Sequence, residues 1–233
     1  MNPMTMNPAE KRKALLLVGS PKGKASASFA IGSYLFRKLA AGGIATEEMT
    51  VAEALRSPDG RARFLEAMDS APFILVSFPL YVDQLPSPLI EALGHVAERR
   101  KGKLPTGQMI AAVVQCGFPE SHQNRPALDI MRRFAAEAGY TWVGGLAMGM
   151  GGAMGRKPLE KAGGMARNAV KALDLAASAL LAGKAIPKEA VALMGKPLMP
   201  KWLYLVAANY GMKSEAKKHG ARKAMYAAPY HPL

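Results

Sequence analysis

The residues best suited to chemistry stand in one short stretch, Gly19-Ser20-Pro21-Lys22-Gly23-Lys24-Ala25-Ser26-Ala27-Ser28. Its hydroxyls and lysines concentrate donors and positive charge without bulk, a combination that holds an anion. The stretch follows a short apolar run, Ala14 to Val18. After it Ile31, Leu35 and Leu39 recur every four residues, with Phe29 and Phe36 widening the stripe. Period and length predict a buried strand, a tight loop, then an amphipathic helix. A helix start points unpaired N–H groups into such a loop and favours negative charge there. Ser20, Lys22, Ser26 and Ser28 are therefore candidate phosphate ligands. Neither common nucleotide signature is present: the Walker spacing is missing, and Gly19 and Gly23 fall short of the three-glycine dinucleotide pattern. An ordinary turn that binds nothing is the alternative reading of this stretch alone.

The elements that must position this loop follow from the rest of the chain. Gly42-Gly43 stops the first helix, and Ile44 to Val51 reads as a second strand. Ser57-Pro58-Asp59-Gly60 reads as a turn before a helix over Arg61 to Ser70. Phe73 to Val76 is a buried strand, and Ser77 to Gln84 an irregular loop at its carboxyl end. Ser87 and Pro88 supply an N-cap and a first-turn proline for a helix to about Arg100. Met109 to Val114 is a strand whose loop, Gln115 to Asn124, leads into a helix over Pro126 to Ala138. Thr141 to Met148 is a fifth strand ending in a glycine-rich run, and a long helix over Leu159 to Leu181 follows. Strands alternating with helices predict an α/β fold, a parallel sheet covered on both faces. Ligands then bind at the carboxyl ends of the strands, where the loops after strands one, three and four should meet.

Composition narrows the classes. The 233-residue chain is half hydrophobic, enough for one ordinary core plus an appendage. No apolar run approaches the roughly 20 residues of a spanning helix, and the run after the basic N-terminal cluster is too short for a signal peptide. A single cysteine fits a reducing compartment, so a cytoplasmic location is expected. The formal charge of +14 favours anionic ligands. Specific nucleic-acid binding is not expected, since no recognition motif accompanies the charge. The histidines, at 95, 122, 219 and 231, show no metal-ligand spacing, and no metal is expected.

GSPKGKASAS before a helix resembles the phosphate loop of the flavodoxin-like NAD(P)H-dependent oxidoreductases, the FMN and quinone reductases. The matching positions are Gly19, Ser20, Pro21, Lys22, Ser26 and Ser28. The segment FPLYVDQLPSPLIEAL is similar to the loop that lies along the flavin in that family, matching at Pro79, Tyr81, Pro86 and Leu89. The resemblance covers roughly residues 14 to 183. It implies a flavodoxin-like three-layer sandwich with strand order 2-1-3-4-5. It also implies FMN as cofactor, NADPH or NADH as electron donor, and hydride transfer through flavin N5 to a small acceptor. A quinone, a free flavin or a nitro or azo compound fits that part. On this reading Ser20, Lys22, Ser26 and Ser28 hold the phosphate. Pro79, Leu80, Tyr81 and Val82 form an apolar shelf beside the ring. Gln115, Cys116, Gly117 and Phe118 line the other side.

Several side chains carry two readings. Tyr81 is the candidate catalytic residue as a proton donor, and equally a stacking residue. Cys116 and His122 could pair as nucleophile and base, although a packed thiol is the plainer reading. Glu120 and His122 read as solvated loop residues. A redox-inert module that binds another phosphorylated ligand, and an electron carrier, are the competing classes. The carrier is disfavoured by the positive charge. The domains expected are a leader over 1–13, a flavin domain over 14–184, and a basic, aromatic extension over 185–233. That extension reads as one helix that self-packs or supports a homodimer, with peripheral membrane contact as the less favoured alternative.

Overall fold

The computed structural model describes residues 13–105, 107–154 and 158–227. The expected leader falls outside them, apart from Lys13. The apolar runs become five strands: β1 (Lys13–Val18), β2 (Ala45–Thr50), β3 (Phe73–Pro79), β4 (Met109–Gln115) and β5 (Thr141–Met148). They form one parallel sheet in the order β2-β1-β3-β4-β5. The helices are α1 (Ala27–Ala41), α2 (Val51–Leu55), α3 (Pro58–Ser70), α4 (Ser87–Arg100), α5 (Arg125–Glu137), α6 (Gly151–Met154), α7 (Arg167–Leu181), α8 (Lys188–Met194) and α9 (Lys201–Lys218).

Side-chain alternation divides the core between the two sheet faces. Leu16, Val18, Leu75 and Val113 pack with Ile31 and Leu35 of α1, Leu173 of α7 and Met194 of α8. Leu15, Leu17, Val76 and Val114 pack with Phe64 of α3, Leu89 of α4 and Met131 of α5. Strands buried on both faces need continuous apolar sequence, as β1 and β3 have. β2 is the polar exception because it is an edge strand: Glu47 pairs with Lys13 at 3.0 Å, and Glu48 accepts from the Ser33 hydroxyl at 3.0 Å.

Capping chemistry shifts several expected boundaries. β2 ends at Thr50, whose hydroxyl accepts from Glu53 N (3.2 Å) while the Glu53 carboxylate accepts from Thr50 N (2.7 Å). This reciprocal cap starts α2 directly at Val51. Ser57 likewise caps α3 by accepting from Gly60 N at 3.0 Å, so the expected turn is a helix start. Pro86, not Ser87, precedes α4, and no side chain caps that helix. The expected helix over 159–181 is broken: a tighter 3-10 segment, Leu159–Ala166, contains Gly163 at φ 63° and gives way to α7 at Arg167.

Residues 185–198, expected within the extension, run on from the sheet. Ile186 N donates to Val143 O of β5 at 2.8 Å, and Ala190 and Met194 are buried. The compact unit therefore ends at Leu198. The second unit holds α9 and a short 3-10 segment, Arg222–Tyr226, neither with a buried residue. Among the described residues no helix is long and apolar enough to cross a membrane.

The amino ends of the strands are locked by a buried polar network. Arg100 donates from Nε to Ala138 O (2.6 Å) and from Nη1 to Gln108 Oε1 (2.9 Å) and Asp69 Oδ1 (3.3 Å). Its guanidinium lies 4.2 Å from the Tyr140 ring centroid. Gln108 Nε2 donates in turn to the carbonyls of Met68, Asp69 and Ala71. Burial pushes the Tyr140 phenol up to about 12, so it stays neutral. This network ties the ends of α3, α4 and α5 beneath the sheet, at the opposite end from the glycine-serine loop.

Candidate functional site

The β1 loop begins at a position that admits glycine alone. Gly19 N donates to Ser77 O (2.9 Å), and a β-carbon on Gly19 would fall 2.6 Å from Leu89 Cδ2 and 2.9 Å from Phe78 Cβ. The loop then turns through Gly23 at φ 51°. Ser26 closes it, donating to Gly23 O at 2.6 Å and accepting from Phe29 N at 3.1 Å as the N-cap of α1. Ser20 Oγ accepts from Lys22 N at 3.3 Å. The amides of Ala27 and Ser28 have no acceptor within the helix. Ser28 is buried; its carbonyl accepts from Ser77 Oγ at 2.7 Å, and its own hydroxyl has no hydrogen-bond partner.

The β3 loop continues the ladder through Leu80 N to Gln115 O at 2.8 Å. Tyr81 and Gln84 then exchange N–H bonds of 3.0 and 3.1 Å around a two-residue turn. Both central residues are left-handed, Val82 at φ 48° and Asp83 at φ 59°. That geometry defines a type I′ hairpin, which favours Asn-Gly. A β-branched residue there is strained, by about 1–3 kcal/mol.

The β4 and β5 loops are sewn together. Cys116 N donates to Met148 O (3.0 Å), Met150 N to Phe118 O (2.7 Å) and Gly151 N to Cys116 O (2.8 Å). Fully buried Asn124 donates from Nδ2 to Met148 O (3.1 Å), Ser121 O (3.0 Å) and Cys116 Sγ (3.3 Å). Burial pushes the Cys116 thiol up, and the hydrogen bonds from Phe118 and Asn124 only partly oppose it. His122 is exposed and is not among the thiol's hydrogen-bond partners. This environment keeps Cys116 a neutral, packed thiol.

These loops enclose a cleft of about 380 Å³. It lies where the chain, having run from β1 to β2 on one side, returns to β3 on the other, the switch point of the sheet. Ser20, Lys22, Ser26, Pro79, Leu80, Tyr81, Gln115, Cys116 and Gly117 line it, all candidates from sequence. Its polar end is the start of α1 with Ser20, Lys22 and Ser26; its apolar end is Pro79, Leu80 and Tyr81. Ser28, Val82 and Phe118 do not line it: Ser28 is buried, whereas Val82 is 92% and Phe118 51% exposed. Sequence reading missed Ala25, Ala27, Gly151 and Gly152, which also line the cleft. The glycine run after β5 was the available signal. A β-carbon on Gly151 would collide with the Gln115 amide, so that run is small because another loop lies against it. Among the described residues no cluster of His, Cys, Asp and Glu could hold a metal ion. A second depression, about 410 Å³ on α5, is bordered by Arg132, Arg133, Ala136 and Glu137 of that one helix and receives no converging loops.

The strand order, the covering helices and the switch-point cleft define a flavodoxin-like doubly wound fold. No protein-family model matches the chain, and no curated protein matches it. Solved structures do. An FMN-dependent NADH-azoreductase from Bacillus anthracis, in complex with FMN, superposes with a TM-score of 0.53 at 14% identity, over 72% of this chain and 99% of that one. The Trp repressor binding protein from Bacillus subtilis gives 0.51 at 11% identity, over 69% of this chain and 95% of that one. At these identities the likeness is one of fold.

Proposed function

We propose that the protein is an FMN-dependent oxidoreductase that takes a hydride from NADH or NADPH and passes it to a small acceptor. The observation that carries this reading is the two-ended cleft. An anion cradle at a helix start continues into an apolar shelf, matching a ligand with a phosphate at one end and a planar ring at the other. The azoreductase of the same fold, which binds FMN, supports it. The residues fit the group: the first amides of α1, which have no acceptor within the helix, would hold the phosphate with Ser20 and Lys22, which line the same end of the cleft. Pro79, Leu80 and Tyr81 would flank the ring on one side and Gln115 and Gly117 on the other. When bound, FMN supplies the hydride-carrying ring that no side chain here provides. Tyr81, half exposed and fixed by its bridge to Gln84, is the residue that can give a proton to an acceptor oxygen.

The test is the visible spectrum of protein mixed with FMN and freed of excess, followed by anaerobic NADPH and then NADH. A retained band that either donor bleaches is the expected result. A retained band that neither bleaches would point to a redox-inert flavin-binding module. Ser20→Ala sharpens the assignment, because its hydroxyl belongs to the cleft lining and its native bond, accepted from Lys22 N at 3.3 Å, is a long one. Folding stability should fall by no more than about 1 kcal/mol while FMN affinity falls about tenfold, the worth of one hydrogen bond to a charged group. Unchanged affinity would remove Ser20 from the phosphate site.

We also propose that the exposed Trp202, Val206 and Tyr210, four residues apart on α9, are covered in a homodimer. Replacing all three by serine should lower the mass measured by light scattering from two chains to one. A wild type already monomeric at micromolar concentration would end this proposal.

A further inference from the structure

Beside the cleft stands a residue that is unfavourable twice over. Val82 takes a left-handed conformation that its branched side chain resists, in a turn where Asn-Gly is at home. It also presents that side chain to solvent at 92% exposure, so no packing within the described fold compensates the strain. Its neighbour Tyr81 lines the cleft, and Phe118, half exposed, follows the lining residue Gly117. Exposed or half-exposed apolar side chains thus adjoin the lining in the β3 and β4 loops, while Ser20, Lys22 and Ser26 line it at the α1 end. The single charge in the turn is the acidic Asp83.

We infer that Val82 is a specificity-determining residue, an apolar contact covered when the electron acceptor enters, selecting neutral acceptors that carry apolar substituents over anionic ones. The inference rests on the oxidoreductase reading and names its second substrate class. An apolar acceptor removes Val82 and Tyr81 from water together, whereas an anion gains nothing from Val82 and meets Asp83. The strain has a use on this account: the tight turn keeps the side chain in solvent next to Tyr81 instead of letting it pack on the loop.

Turnover of the FMN-loaded protein with an alkyl-substituted benzoquinone and with ferricyanide gives a ratio of kcat/KM values. Val82→Asn, which suits the turn but removes the apolar contact, should raise the thermal midpoint and lower that ratio about tenfold, the scale set by burying one valine side chain. Val82→Thr keeps the branched shape and the strain, and should lower the ratio nearly as far; Val82→Ile should keep or raise it. A ratio preserved in Val82→Thr and lost in Val82→Asn would mean that turn shape alone matters, and would overturn the inference. An unchanged ratio in both would overturn it as well. Wild-type protein inactive with both acceptors would instead refute the oxidoreductase reading, and this inference with it.

Discussion

Arg100→Ala is expected to lower the unfolding free energy by about 3–5 kcal/mol, the range for breaking a buried, charge-assisted network from one side. Arg100 is almost wholly buried, and its guanidinium serves Ala138 O, Gln108 Oε1 and Asp69 Oδ1 at once. Removing it strands the Gln108 and Ala138 acceptors where water has no access, and takes a cation from the face of Tyr140. Asp69 suffers less, because it is partly exposed and keeps Arg99 at 2.6 Å. Urea unfolding followed by circular dichroism reads the loss as a lower midpoint with an unchanged slope. FMN affinity at low temperature should stay within about twofold, since the network lies at the amino ends of the strands and the cleft at their carboxyl ends. Adding Gln108→Leu should deepen the loss, because it takes the Nε2 donor from the carbonyls of Met68, Asp69 and Ala71. A midpoint unmoved by Arg100→Ala would mean that the network is ornamental.

The strands were legible because burial on both faces leaves an unmistakable apolar run, as in Ala14–Val18 and Phe73–Val76. The glycine-serine loop was legible as a strand-to-helix turn because small residues and hydroxyls stand there between an apolar run and an amphipathic stripe. What escaped reading depends on contacts distant in sequence. Gln108 and Arg100 look like surface residues until Ala71 and Ala138 are brought beside them. Thr50 reads as the continuation of a strand unless its pairing with Glu53 is recognised as a cap. The helix over 159–181 obeyed its apolar period across Gly163-Gly164, and only the positive φ at Gly163 shows where the chain bends. Its place in the motif puts Val82 on the flavin shelf. Residue type cannot reveal that a two-residue hairpin leaves that side chain in solvent, outside the lining.

Gly149→Ala is expected to cost flavin retention outright while leaving the sheet folded. A β-carbon at this position would sit 2.5 Å from Pro119 O and 3.0 Å from Phe118 O. Both are backbone atoms, so no rotamer change relieves the clash, and the β4 and β5 loops must separate. Separation breaks the bonds from Met150 N to Phe118 O and from Gly151 N to Cys116 O, at 2.7 and 2.8 Å, which hold Cys116 and Gly117 against the cleft. The global penalty should be that of local overpacking, about 1–3 kcal/mol, because the strand pairing of β4 with β5 ends before this point. Gly151→Ala provides the contrast. Its β-carbon meets the flexible end of Gln115, which can swing aside, so stability should fall less while the amide leaves its place in the lining. Far-ultraviolet dichroism, the unfolding midpoint and the retained visible band together separate these outcomes. Full flavin retention in Gly149→Ala with a native midpoint would show that the two loops tolerate separation, and that the cleft does not depend on their being sewn together.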